Sequence, residues 1–171
     1  MMINTKIGAM LNEQINKELF SSYLYLAISD YYTQQDLDGF ANWFEVQAQE
    51  ELSHAMLFRK YLSNDSYPIS LGAIAAPNVA YTALKDALAA ALGHEQMITA
   101  SISAIYSEAL DCKDYKTTQF LDWFIKEQGE EEKNSTDLLK KFELFATDAK
   151  GLYLLNAELL TRLYAPPSLV I

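Results

Sequence analysis

The residues that could do chemistry gather first in Glu50-Glu51-Leu52-Ser53-His54, an acidic pair and a histidine inside an apolar, helix-forming run. Glu51 and His54 stand three apart, so one helix turns both side chains the same way. A carboxylate and an imidazole on one face can hold a metal ion, or they can be ordinary polar residues of a solvated helix. Matching carboxylates elsewhere decide between the two. Glu18 sits in an apolar or small-residue stripe of Leu11, Ile15, Ser22, Tyr25, Leu26 and Ser29, and Glu95 in one of Leu84, Leu88, Leu92, Ile98, Ile102 and Tyr106. Glu51 lies within the stripe of Phe40, Phe44, Ala48, Ala55, Phe58 and Leu62; Gln128 and Glu131 lie within that of Phe120, Leu121, Phe124, Leu138, Leu139 and Phe142. Each stripe follows a 3.6-residue period, so these glutamates point into a core.

The elements that must carry them are long helices. A first segment starts after Asn4 or Thr5 as cap and runs to about Tyr32 or Thr33. Asp36-Leu37-Asp38-Gly39 makes a turn, and a second segment runs to about Ser63. Residues 64–78 hold two prolines and a glycine and break the pattern. At full extension about 15 residues span about 50 Å, more than the roughly 39 Å of a 26-residue helix, so this link can return along the whole bundle and leave its neighbours parallel. Asn78 is the expected cap of a third segment ending near Leu110; Asp111-Cys112-Lys113-Asp114 turns into a fourth that ends near Phe145; a short fifth runs from about Asp148 to Tyr164, before Pro166-Pro167. The expected fold is all-α: one domain over residues 1–171, a four-helix bundle over about 5–145, one long crossover and a short fifth C-terminal helix at about 148–164.

Register supports one layer. The midpoint between Glu18 and the Glu51/His54 pair falls at residues 34 to 36, beside the first turn, and that between Glu95 and Gln128/Glu131 falls at 111 to 113, in the second turn. Antiparallel partners equidistant from their turn are level, here about 25 Å along the helix axis. On the helical wheel His54 and Glu50 lie progressively off the Glu51 face; Glu127 is at the margin of the fourth stripe and Glu130 outside it. His94 lies about 100° from Glu95 and is expected to be exposed rather than a ligand.

Glu18, Glu51, Glu95 and Glu131 cannot stay ionised in an apolar bundle uncompensated, since desolvating each costs several kcal/mol. Protonation or salt bridges are one answer, but no lysine or arginine shares these stripes. Two divalent cations would cancel the charge. Oxygen-rich ligation with a single imidazole suits iron or manganese, iron above all, better than a closed Cys/His zinc site. Glu51 is the expected bridge between ions about 3.5 to 4 Å apart.

Glu18, Glu51-x-x-His54, Glu95 and Gln128-x-x-Glu131 on a long-crossover bundle resemble the ferritins over nearly the whole chain; inward glutamates with Glu-x-x-His are the known ligand pattern of ferritin-like di-iron proteins. Gln128 and Glu131 resemble the bacterial non-haem branch, because bacterioferritins carry a second Glu-x-x-His there. Bacterioferritins also place a haem-ligating methionine where this chain has Leu52, so no haem is expected. The resemblance implies an iron-storage protein, a ferroxidase that oxidises Fe(II) with O2 or H2O2 and keeps the ferric mineral inside a homo-oligomeric cage of twenty-four subunits. It implies that Glu18, Glu51 and His54 bind one iron and Glu51, Glu95 and Glu131 the second, with Gln128 alongside. Glu50, Glu127 and Glu130, with Glu131 shared, resemble a third iron site; a solvated acidic surface is the other reading of Glu127, Glu130 and Glu132. Tyr25 and Trp123 match aromatics that can supply an electron, with core packing the stronger expectation for Trp123. Animal ferritins line their entry channel with carboxylates where Thr118 and Leu121 stand here, so that route is not implied.

Composition sets the remaining bounds. The 171 residues carry a formal net charge of −10, which argues against nucleic acid or an anionic membrane as partner and for cations. The single cysteine, Cys112, allows no internal disulfide and fits a reducing compartment. Met1–Ile7 lacks the apolar core of a signal peptide and no run of 18 apolar residues occurs, so a cytoplasmic location is expected. Met10, Met56 and Met97 have no pairing and read as core or interface filler rather than a haem or copper box. A non-storage di-iron redox enzyme on the same bundle is the alternative, and it would need an electron-donor partner. A purely structural bundle leaves the level carboxylates without a purpose.

Overall fold

A computed structural model describes residues 3–171; Met1 and Met2, part of the stretch read for a signal peptide, lie outside the described residues. Five helices follow one another: α1 Thr5–Thr33, α2 Asp38–Asn64, α3 Leu84–Asp111, α4 Tyr115–Phe145 and α5 Ala149–Leu159. Asn4 caps α1 by accepting from the backbone N–H groups of Lys6 and Ile7, and Asp114 caps α4 through Thr117. Each cap satisfies donors that a helix start leaves open and is worth about 1 kcal/mol.

Three helices end in one way. Asp36, Ser66 and Lys113 adopt left-handed backbone, with φ of 56°, 54° and 56°. The next N–H in each case returns to a carbonyl five residues earlier: Leu37 to Tyr32 at 3.1 Å, Tyr67 to Leu62 at 3.0 Å and Asp114 to Ala109 at 2.8 Å. Gly39, expected in the first turn, lies inside α2 instead. A Cβ there would stand 1.7 Å from the carbonyl oxygen of Asn156 on α5, and the Gly39 N–H donates to the Asn156 side chain at 2.8 Å. It is glycine for close approach, not for turning.

Other boundaries differ from the sequence reading. α3 begins at Leu84 rather than after Asn78, because Asp86 reaches back to the N–H groups of Thr82 and Ala83; Asn78 bonds only Ala80. The crossover is therefore residues 65–83. It runs along α1, pinned by Asn12 to Ser70 at 2.8 and 2.9 Å, by Asn16 to Gly72 and by Tyr81 against Tyr31. α5 ends at Leu159, not near Tyr164, since the Asn42 amide on α2 takes up the carbonyls of Leu159, Leu160 and Arg162 and turns the chain. Leu26, expected in the α1 stripe, is 45% exposed, and Leu24 and Ile28 are buried in its place.

Two apolar clusters fill the bundle. One holds Tyr32, Phe40, Phe44, Leu88, Leu138 and Leu155; the other holds Leu11, Ile15, Phe58, Leu62, Ile102 and Phe124. Fully burying each such side chain contributes about 1.5–3 kcal/mol. The buried glutamates belong to neither cluster and fall, in chain position, between them. No helix among the described residues is long and apolar enough to cross a membrane.

Candidate metal centre

Glu18, Glu51, Glu95 and Glu131 are each at most 4% exposed, one from each long helix. Glu18, Glu51 and His54 bring one ligand atom each to within 4.8 Å of one another, and so do Glu51, Glu95 and Glu131. Glu51 is common to both triads. Among the described residues no other group of carboxylate, histidine or cysteine ligands meets that spacing.

Neutral donors hold the carboxylates from behind. Gln14 donates to Glu18 Oε1 at 2.8 Å, Gln47 to Glu131 Oε2 at 2.9 Å and Gln128 to Glu95 Oε2 at 3.2 Å; the Tyr25 hydroxyl also donates to Glu95. His54 Nδ1 lies 3.2 Å from Glu51 Oε2, its ring edge-on to Trp123 and Phe124. Glu18 Oε2 and Glu51 Oε1, both buried, have no hydrogen-bond partner. A buried carboxylate oxygen left unpaired costs on the order of 1–3 kcal/mol or more, and here the two orphans sit on residues of the same triad.

The electrostatics agree. Burial, and then the charge of Glu51, raises the Glu18 pKa well above the carboxylate range; burial, and then Glu95, does the same to Glu51. Glu95 is pushed up to about 8 by burial and next by Glu131. Burial and the neighbouring Glu95 also keep the Tyr25 phenol protonated and so a donor. Without a cation these groups hold protons; a cation supplies the charge that burial withholds.

A family model described as "Ferritin-like domain" matches residues 8–145. The chain belongs to the ferritin family. It is 35% identical over 158 residues to a probable bacterial non-heme ferritin-like protein of Haemophilus influenzae, covering 92% of this chain and 96% of that one. It is 35% identical to a bacterial non-heme ferritin of Campylobacter jejuni over 153 residues, 90% and 92% of the two chains. Among solved structures, an open-pore ferritin from Archaeoglobus fulgidus superimposes with a TM-score of 0.92 at 36% identity, covering 94% of this chain and 98% of that one.

In this ferritin the outer carboxylates are arranged differently from the inner four. Glu50 and Glu127 are half-buried and Glu130 is exposed, with Lys126 at 3.7 Å. Burial pushes Glu50 up to about 7 despite the opposing pull of Arg162, and burial also raises Glu127. His94 corrects an expectation: it is 6% exposed, wedged between α1 and α3 with Nε2 2.7 Å from Ser21 Oγ. Its ring packs against Phe20 and Tyr25, so it is a buried strut and not a surface residue. Thr118 and Leu121 are buried within the subunit, while Met56 and Met97 are exposed on it.

Sequence reasoning missed Gln14, Gln47 and Arg162. The two glutamines had a signal: each stands one turn before a buried glutamate, Glu18 or Glu51, and so shares its face. Arg162 had none, because it arrives from beyond α5 to meet Glu50 at 2.6 Å.

Proposed function

We propose that this chain stores iron by oxidising Fe(II) at the paired carboxylate triads and laying down the ferric product inside a homo-oligomeric cage of twenty-four subunits. The observation that carries the chemistry is the pair of unpartnered oxygens on Glu18 and Glu51 within a ring of buried carboxylates. Fe(II) is the substrate. Glu18, Glu51 and His54 take one ion, Glu51, Glu95 and Glu131 the other, and Glu51 spans both. Anionic oxygen donors stabilise the ferric state over the ferrous one, lowering the barrier to electron loss. Two ions each give up one electron, and the pair reduces dioxygen, with two protons, to hydrogen peroxide, or reduces peroxide to water.

The chain's own groups manage position and charge. Gln14 and Gln47 fix the carboxylates of Glu18 and Glu131 through one oxygen each, and Gln128 and Tyr25 fix Glu95 through both of its oxygens; Tyr25 lies close enough to donate a proton or an electron through its bond to Glu95. Protons leaving Glu18, Glu51 and Glu95 as iron enters keep the centre near neutral. Glu50, Glu127 and Glu130, with Glu131, form an outer third site by which iron passes onward. The exposed free Cys112 suits a cytoplasmic setting.

Size-exclusion chromatography of the purified protein with graded aerobic Fe(II) tests the reading. A very large particle that takes up far more than two irons per chain is expected. A dimer that stops at two overturns storage and favours the di-iron redox enzyme.

A further inference from the structure

After α5 the chain does not leave the bundle. It turns on Asn42 and lies along α2, then crosses to α4: Tyr164 meets Ser53 hydroxyl to hydroxyl at 2.7 Å, and Ser168 accepts from Trp123 Nε1 at 3.0 Å. Leu169 and Ile171 then pack on the apolar cluster around Phe58 and Phe124. These contacts place the segment over the seam between α2 and α4, beside Glu50 and one turn from Glu127.

Arg162 is the charged residue this segment delivers. Its guanidinium stacks on Trp43 at 4.0 Å, donates through Nη1 to the Trp43 carbonyl at 3.2 Å, and pairs through Nη2 with Glu50 at 2.6 Å and with the Gln47 side-chain oxygen. Gln47 in turn donates to Glu131. Both charged side chains are largely covered, Arg162 17% and Glu50 20% exposed. A guanidinium held by a carboxylate, an amide oxygen, a carbonyl and an indole face is a built position, well beyond the median surface ion pair.

We propose that residues 160–171 are a strap across the α2/α4 seam and that Arg162 is the resident cation of the outer carboxylates, closing them to a third metal ion until the strap lifts. The inference rests on the reading of Glu50, Glu127 and Glu130 as an outer iron site. One positive charge already answers Glu50, so a divalent ion must displace the guanidinium and break its bonds to Gln47 and Trp43. Arg162 thereby sets how many ions a chain holds at rest. Through Gln47, which donates to Glu131 Oε2, it also fixes the Glu131 carboxylate, which makes it a positioning residue for the inner centre.

Zn(II), which cannot be oxidised, is the probe. Crystals of the assembled protein are soaked in zinc salt and anomalous peaks are assigned for the wild type, Arg162→Gln, Arg162→Lys and the double variant Tyr164→Phe/Ser168→Ala. The wild type should show zinc on the inner triads and none on Glu50. Arg162→Gln should add a peak on Glu50 and Glu127, with outer-site affinity in solution up at least about tenfold. The lysine variant keeps the charge and should stay near the wild type, and the double variant should fall between. Zinc on Glu50 in the wild type with Arg162 still in its place against Glu50, Gln47 and Trp43 overturns the proposal, and so does an Arg162→Gln chain whose outer carboxylates stay bare. Should Arg162→Gln fail to assemble, the wild type and the double variant still decide, because a double variant with bare outer carboxylates counts against the strap. Bare inner triads in the wild type sink the metal-centre reading instead, and the peak on Glu50 is scored independently of them.

Discussion

The bundle has two long cross-hairpin seams, and they are built in opposite ways. Along α1/α3 the backbones approach closely, with Cα atoms within 8 Å, whereas no Cα of α2 comes that near to one of α4. The narrow seam is bridged by short polar contacts: Ser21 with His94 at 2.7 Å, Ser101 with Gln14 at 2.6 Å and Lys17 with Ser101 at 2.9 Å. The wide seam is filled by rings, Phe58 on Phe124 at 4.2 Å and Tyr61 on Phe120 at 4.1 Å, and by the outer carboxylates under Arg162. One side is a wall that fixes Glu18 and Glu95 from behind. The other keeps its backbones further apart, and the chain spends a charged side chain to cover its carboxylates.

The contrast breaks most completely at the residue shared by both triads. Glu51→Ala should lower the initial rate of Fe(II) oxidation by about a thousandfold, followed by stopped-flow absorbance, with the oligomer unchanged on size exclusion. An unchanged rate removes the bridging role.

Next in size is the proton count of loading. At pH 7 Glu95, pushed up to about 8, is largely protonated, and burial shifts Glu18 and Glu51 in the same direction, well above the carboxylate range. Anaerobic Fe(II) binding should therefore release more than one proton per chain, read with an indicator in weak buffer, and affinity should fall as pH falls. Release near zero at pH 7 would mean that the carboxylates are already ionised.

The narrow seam can be probed through His94, whose pKa burial pushes down to about 4 from 6.5. The folded state then binds fewer protons than the unfolded one between those values. Its share of stability is intact above pH 6.5 and drains away on acidification towards pH 4, by about 3 kcal/mol. Urea titrations of the wild type and His94→Leu should diverge in slope against pH within that window only. Parallel curves would show that His94 keeps its proton balance on folding.

The stripes, the turns and the level of the four glutamates were legible because they depend on period and on distance from a turn, and both are properties of the chain alone. Glu18, Glu51 and Glu95 are inward for the same reason that Phe58 and Ile102 are. What could not be read depends on contacts between distant segments. His94 is off the Glu95 face, but α1 approaches α3 so closely that Ser21 helps to bury it; Leu26 is on the expected face, but the subunit leaves it half-exposed. The end of α5 was set by Asn42 and the third helix start by Asp86, and the prolines and Asn78 that marked these places in the sequence turned out to lie beyond them. Arg162 is the extreme case, about 110 residues from the carboxylate it answers.

The helix endings at Asp36, Ser66 and Lys113 carry a practical corollary. Side chains in left-handed backbone sit about 1 kcal/mol above glycine, and all three corners lie at the bundle's ends, remote from the carboxylates. Glycine at the three together should lift the melting temperature by several degrees with metal loading untouched, so the molecule has untapped heat resistance stored in its corners.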